Sequence, residues 1–256
     1  EKSVVPAWKK TVGVKQREKI IYDASWQYSS DAVKKIDFAG FASPKVESGL
    51  AFFRGNKPVV LKPFLDSLNE KIVEKNFGAT LQPADKLAFL HYALVNTGFF
   101  LRVDENIDVG QIVIENNSGD SINASHSMIF LEKGASATIL EKVRAGGKSL
   151  NTNFLQAFLS KGSRLNYFLI QDNSADSVFY SRKHCANNGG KINWRTAEFG
   201  SSFSKSTIET SLTGRESEND CTSIFYSNGV QHFDLSTACI HGEKNTVSNT
   251  RAYGAL

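Results

Sequence analysis

From Met128 onward the sequence repeats itself. The segments Ile129–Ile139, Ala157–Tyr167, His184–Trp194 and Ser211–Cys221 superpose with Gly134, Gly162, Gly189 and Glu216 in one column, at offsets of 28, 27 and 27 residues. Behind that column two alternating positions read Ala137, Leu165, Ile192, Asn219 and Ile139, Tyr167, Trp194, Cys221. Ahead of it the column reads Phe130, Phe158, Cys185, Leu212 and, one period on, Cys239. Apolar residues two apart are strand periodicity, because successive side chains of a strand point to opposite faces. Recurrence of the same columns means that each segment stacks on its predecessor, so one column becomes one row of touching side chains. A fixed period of roughly 20 to 50 residues, built from short strands and Gly/Asn turns, predicts a mainly β solenoid, here a parallel β-helix.

The first part of the chain has a different rhythm. Glu18–Tyr28 reads as a short helix or an irregular segment, and Ser43-Pro44 and Gly55-Asn56-Lys57-Pro58 read as turns. Phe64, Leu65, Leu68 and Ile72 share one helical face after Pro63, which predicts a helix over 64–76. Asp85 precedes Leu87, Leu90, Leu94 and Val95, a second amphipathic helix with an acid at its favourable end and Gly98 as its stop. Phe99–Val103 and Gln111–Ile114 are then strand-like, and Asn116-Asn117-Ser118-Gly119-Asp120 is a turn cluster. The division expected is a helix-rich region over 1–98 and a β-helix over 99–256. His241–Thr246 begins what reads as a further coil, and an uncovered solenoid end calls for a cap, a continuation of the chain or another subunit.

Composition sets limits only. Of 256 residues, 41% are hydrophobic and 22% charged, which is ordinary for a globular chain with a sizeable core. No apolar run is long enough to cross a bilayer, and Glu1–Pro6 has no signal-peptide pattern. A net charge of +4 with dispersed lysines gives no basic stripe for nucleic acid. Three cysteines without spaced pairs fit reduced thiols in the cytoplasm or a similar compartment.

The residues that could carry chemistry are few. Cys239 and His241, two apart, share one face of a strand, and His232 and Asp234 do likewise. His232, Cys239 and His241 are therefore the metal-ligand candidates, since a mixed Cys/His set suits zinc or iron. Against this, Cys239 falls in an apolar column, where a thiol serves as a small filler. Cys185 lies in the same column two coils earlier, about 10 Å away at the ~4.8 Å strand spacing, too far to share one metal. Arg182 and Lys183 beside Cys185 would favour a thiolate, against the reading of an ordinary buried thiol. His91 and His126 read as structural histidines. Nucleotide-binding glycine loops, the Gly-x-Ser-x-Gly elbow and Cys-x-x-Cys pairs are all missing. A polysaccharide lyase or hydrolase on a β-helix stays open as an alternative, but it would need a cluster of charge on an outer sheet that the aligned columns do not show.

Lys86–Leu94, Gly98–Val103 and above all Gln231-His232-Phe233-Asp234-Leu235-Ser236-Thr237-Ala238-Cys239-Ile240-His241, followed by Asn245-Thr246-Val247-Ser248, resemble the SufB/SufD family of iron–sulfur cluster assembly scaffolds. The resemblance covers about two thirds of the chain. Trp26-Gln27-Tyr28-Ser29 and the stretch Phe199–Gly214 are similar to SufD rather than SufB. The resemblance implies a right-handed parallel β-helix behind a helical N-terminal region. It also implies a non-catalytic scaffold that pairs with a SufB-like subunit, or with itself in isolation, and works with a SufC-like ATPase. No tightly bound cofactor is implied; an iron–sulfur cluster would pass transiently through a subunit interface. Cys185 resembles a SufB cysteine on the sulfur-transfer route. The family's C-terminal helical region, which docks SufC, has no counterpart in this sequence, and neither has the downstream histidine that serves the cluster in SufD. The compartment implied is the cytoplasm, or the stroma where the organism has plastids.

Overall fold

The computed structural model describes residues 59–119 and 122–255. The segments expected at Glu18–Tyr28, Ser43-Pro44 and Gly55–Pro58 lie outside them, as does Asp120 of the turn cluster. Two sheets wind into a solenoid. Sheet A contains β1 (Val59–Pro63), β2 (Phe99–Val103), β4 (Ile122–Leu131), β6 (Leu150–Leu159), β8 (Val178–Asn187), β10 (Phe203–Leu212) and β12 (His232–His241), in that spatial order. Sheet B stacks β3 (Asp108–Ser118), β5 (Ser136–Ala145), β7 (Arg164–Gln171), β9 (Lys191–Glu198), β11 (Glu218–Tyr226) and β13 (Val247–Ala255). Each coil contributes one strand to each sheet, and every ladder is parallel except β1 with β2. Among the described residues no helix is long and apolar enough to cross a membrane.

The expected turn column is real. Gly134, Gly162, Gly189 and Glu216 all have positive φ, at 69°, 73°, 84° and 64°, a region that glycine enters without strain. The two columns behind it are real as well. Ala137, Leu165, Ile192 and Asn219 are consecutive partners across sheet B, and so are Ile139, Tyr167, Trp194 and Cys221. Their side chains fill the lumen, where Tyr167 meets Trp194 edge-on at 5.4 Å.

The column drawn ahead of the turn is wrong, and the reason is the period. In sheet A successive coils are offset by 28 residues (Leu150 to Val178), then 25 (Val178 to Phe203), then 29 (Phe203 to His232). Sheet B keeps offsets of 27 (Arg164 to Lys191 to Glu218) over the middle coils, and the turns between the sheets absorb the difference. A column that steps by 27 from Phe158 onward therefore slips in sheet A, and a slip of one residue reverses the face. Phe130 and Phe158 stack on each other at 4.7 Å on the outer face. Cys185 instead sits in the lumen row Ile129, Ala157, Cys185, Thr210, Cys239. Leu212 also faces the lumen, one row further along, opposite Asn187 and His241. The turn cluster is shorter than expected too, because β3 runs on through Asn116 to Ser118.

Outside the lumen, a small cap lies on sheet A. The helix expected over 64–76 is broken into a 3-10 turn, Phe64–Ser67, and α1 (Lys71–Asn76). Ser67 Oγ donates back to Phe64 O at 2.6 Å, and Glu70 is extended, held by Lys62 at 2.7 Å. The break lets Phe64 turn into the second core of the molecule, with Phe77, Tyr92, Phe100, Met128 and Phe154. The second helix, α2, spans Lys86–Leu94 and ends four residues before Gly98. Asp85 is its N-cap: Oδ1 accepts from Ala88 N at 2.8 Å, while Oδ2 accepts from Tyr180 Oη on β8 at 2.8 Å.

His91 and His126, which have no evident partner in the sequence, hold each other across this interface. Gln156 Oε1 accepts from Gly78 N at 3.1 Å, so its oxygen is fixed, and His126 Nε2, 3.0 Å from it, must carry the proton. His126 Nδ1 is then bare and accepts from His91 Nε2 at 3.0 Å. His91 Nδ1 in turn accepts from the Thr152 hydroxyl at 2.8 Å. Both rings are buried and both are neutral in this relay. Burial holds His126 down to about 3, and burial, then His126 and Arg182, hold His91 well below the usual imidazole range. Above the unfolded-state value of about 6.5 neither histidine affects stability; below it the unfolded chain binds protons that the folded chain refuses. Lowering the pH from neutral to about 5.5 is expected to remove ~1.4 kcal/mol of stability per histidine. Urea denaturation at the two pH values measures this, and a His91→Phe/His126→Leu variant should lose about 3 kcal/mol of that pH dependence.

Candidate functional site

The lumen is not uniformly apolar. Glu141, Lys183 and Glu198 project into it from β5, β8 and β9, and each is at most 2% exposed. Glu141 Oε1 accepts from Asn153 Nδ2 at 2.7 Å, and its Oε2 accepts from the Tyr167 hydroxyl. Lys183 Nζ donates to Ser181 Oγ, and Glu198 Oε2 accepts from Ser204 Oγ at 2.7 Å. Burial pushes the Glu141 carboxyl up, and the Tyr167 hydroxyl, Lys183 and Asn153 draw it partly back. Burial likewise pushes the Lys183 ammonium down, opposed by Glu198, then Glu141, then Cys221. Tyr167 is pushed well up by burial and by Glu141 beside it. Two carboxyl groups surround one ammonium, and the upward push on Glu141 favours its neutral form. The strand signal for this cluster was legible in principle. Glu141 alternates in phase with Ile139 and Val143, and Lys183 is in phase with Cys185, so both charges occupy inward positions.

From this cluster the lumen leads towards the terminal coil. A cavity of about 250 Å³ is lined by Thr196, Glu198, Ser206, Ile208, Phe225 and Phe233, among others. Glu198 forms part of its wall, and the buried Ser206 Oγ has no hydrogen-bond partner among the described residues. Of the described strands, β12 and β13 are the last in the spatial order of the two sheets. Ile240, Val247 and Tyr253 on them are 53%, 53% and 58% exposed.

The metal-ligand candidates do not come together. Cys239 and His241 share the lumen-facing side of β12, and His241 Nδ1 lies 2.7 Å from Thr246 Oγ1. His232 is at the other end of that strand on its opposite face, stacked on Phe203 at 5.4 Å. Seven residues of strand separate it from Cys239, about 23 Å. Asp234, on the same outer face as His232, accepts from Lys205 at 2.6 Å. Among the described residues no three His, Cys, Asp or Glu side chains gather closely enough to hold a metal ion.

Cys185 is a buried thiol rather than an activated one. It is fully enclosed between Ala157 and Thr210, and burial pushes its thiol up, with Cys239 adding to the shift. The cations beside it in sequence are engaged elsewhere. Arg182 points outward, donating to Gln82 O at 2.8 Å and lying 5.7 Å from the Phe154 ring centre, while the bond from Lys183 goes to Ser181. Cys221 is buried too, with its thiol also raised, first by burial, whereas Cys239 is half-buried. In the native chain, one of the three thiols, Cys239, is expected to react rapidly with Ellman's reagent, and all three after unfolding. Replacing Lys183 by Met removes the cation that offsets the carboxyl groups across the lumen and the donor to Ser181, and urea denaturation should show a loss of about 1–3 kcal/mol. Adding Glu198→Gln should return part of it.

Known proteins are similar to this chain in sequence. The family described as "SUF system FeS cluster assembly, SufBD core domain" matches residues 113–256. A SufBD family iron–sulfur cluster assembly protein of Synechocystis is 27% identical over 195 residues, covering 69% of this chain and 40% of that protein. The iron–sulfur cluster assembly protein SufD of Bacillus subtilis is 26% identical over 213 residues, covering 78% of this chain and 49% of that protein. A chloroplastic SufBD family protein of Arabidopsis thaliana is 25% identical over 201 residues, covering 72% and 36%. The chain thus spans half or less of the length of these relatives. With two parallel sheets wound into one solenoid, and a family match running over most of its coils, the chain belongs to the SufBD core family of iron–sulfur cluster assembly proteins.

Proposed function

We propose that the chain acts as a SufD-type scaffold subunit in iron–sulfur cluster assembly, pairing with a SufB-like subunit and working beside a SufC-like ATPase. The observation that carries this reading is the parallel β-solenoid of residues 99–255, most of which lies within the stretch matched by the SufBD core domain. Similarity to a protein named SufD supports the subunit type. The iron–sulfur cluster is cargo on this reading, assembled where two subunits meet, in the cytoplasm or a plastid stroma. Cys239 and His241 stand on the edge strand and would offer at most two ligands, so a partner would have to supply the others.

The scaffold is non-catalytic in this proposal, and hydrolysis of ATP belongs to the partner. The carbohydrate-enzyme alternative is disfavoured because carboxylates on the outer faces of both sheets are held in ion pairs. Glu115 pairs with Lys142 at 3.0 Å, Asp220 with Arg195 at 2.7 Å and Asp234 with Lys205 at 2.6 Å. The test is binding of the chain to a SufB-like subunit, followed by size-exclusion chromatography and titration calorimetry. Co-elution of the two proteins, with a dissociation constant in or below the micromolar range, is the expected outcome. A chain that stays unbound at micromolar concentrations of the SufB-like subunit would remove the support for this reading.

A further inference from the structure

Two Asn-Gly pairs lie in the described chain, Asn188-Gly189 and Asn228-Gly229, and the fold treats them differently. At Asn188 the glycine nitrogen is occupied: Gly189 N donates to Ser217 Oγ at 2.7 Å, and the Ser217 hydroxyl is itself anchored by Asn187 O and Gly214 O. A Cβ placed at Gly189 would lie 3.3 Å from Arg215 O, so the backbone there is packed on both sides. At Asn228 both residues are exposed, nothing approaches Gly229 within 4 Å of a Cβ position, and among the described residues nothing accepts from Gly229 N. The turn joins β11 to β12. It is held by Asn228 N donating to Gln231 Oε1 at 2.8 Å, and by Gln231 Nε2 donating to Ser201 O at 2.9 Å.

We propose that Asn228 is a site of spontaneous deamidation and isoaspartate formation in the folded chain, and that the fold protects Asn188 from the same reaction. The Gly229 amide nitrogen gives up its proton and attacks Asn228 Cγ. The new N–Cγ bond closes a five-membered succinimide as the Cγ–Nδ2 bond breaks and ammonia leaves with the proton. Water then opens the ring at either carbonyl, giving aspartate or, where the chain now runs through Cβ and Cγ, isoaspartate. Ammonia is lost and water gained, with no change of oxidation state. Glycine matters because a side chain at the attacking residue would crowd the ring, and exposure matters because the nitrogen must be free to leave its planar, hydrogen-bonded state. The consequence is local. An added charge and an extra backbone atom enter the turn that sets β12 on β10, next to Phe233 at the lip of the terminal cavity. This inference stands independently of the scaffold reading.

The test incubates the intact chain at mildly alkaline pH, digests it under acidic conditions, and measures isoaspartate in each peptide by protein isoaspartyl methyltransferase labelling and mass spectrometry. Release of the Ser217 bond is a hydrogen-bond-sized barrier, so the Asn228 peptide should accumulate isoaspartate about ten-fold faster than the Asn188 peptide. In urea the two peptides should react at similar rates. Gly229→Ala should bring the Asn228 peptide to the background level while leaving Asn188 unchanged. Equal rates at the two sites in the folded chain, or no reaction at Asn228 while the unfolded chain reacts, would overturn the proposal.

Discussion

Register between successive parallel strands is the constraint on which this molecule rests. Every interior strand gives its main-chain donors and acceptors to the coil before and the coil after, so backbone polar groups are satisfied only if the coils stack in step. Stacking in step then delivers rows of like side chains to the lumen at the ~4.8 Å strand spacing. Tyr167 against Trp194 shows how the rows are used, with large rings filling a narrow interior from one sheet. Trp194 Nε1 still reaches Thr210 Oγ1 on the opposite sheet at 3.0 Å, so the ring ties the two faces together. An enclosed aromatic of this size removes on the order of 150–250 Å² of apolar surface from water, the largest contribution a single residue can make.

The polar interior follows from the same geometry. A solenoid has no centre distant from its backbone, so each inward position is close to both sheets and can be reached by short polar partners. Glu141 finds Asn153 and Tyr167, and Glu198 finds Ser204, each from the opposite sheet or the next coil. Lys183 lies among them with its ammonium bonded to Ser181, so the opposite charges offset one another across the lumen rather than by direct pairing. The cap on sheet A uses a related device. Its apolar face alone would fit several positions, but the chain Thr152, His91, His126, Gln156 has one direction and one set of tautomers. Directional bonds in a closed site give the cap a single seat.

Much of this was legible in residues, and what was not has a common cause. Ile139, Tyr167, Trp194 and Cys221 could be aligned because sheet B keeps nearly the same period through those coils. Phe130, Phe158, Cys185 and Leu212 could not, because turns of unequal length change the sheet A offset by as much as four residues between coils. The break between the 3-10 turn and α1 was hidden for a similar reason: helical periodicity over 64–76 is genuine, yet the Lys62–Glu70 pair and the burial of Phe64 bend the chain. For the candidate site, spacing correctly put Cys239 with His241, and Cys185 two coils behind Cys239. It erred in grouping His232 with them, since an odd separation along a strand is a change of face.

Taken alone, the sequence determined the class of fold, the turn positions with left-handed backbone, one sheet's rows and the family, because these depend on local periodicity and on motifs contiguous along the chain. Only the tertiary structure decided which face each sheet A residue shows, that Cys185 is sealed, that two histidines thirty-five residues apart share a proton path, and that three charges meet inside the solenoid. Those outcomes depend on how many residues each turn consumes between sheets, and turn length is set by how the coils close on one another.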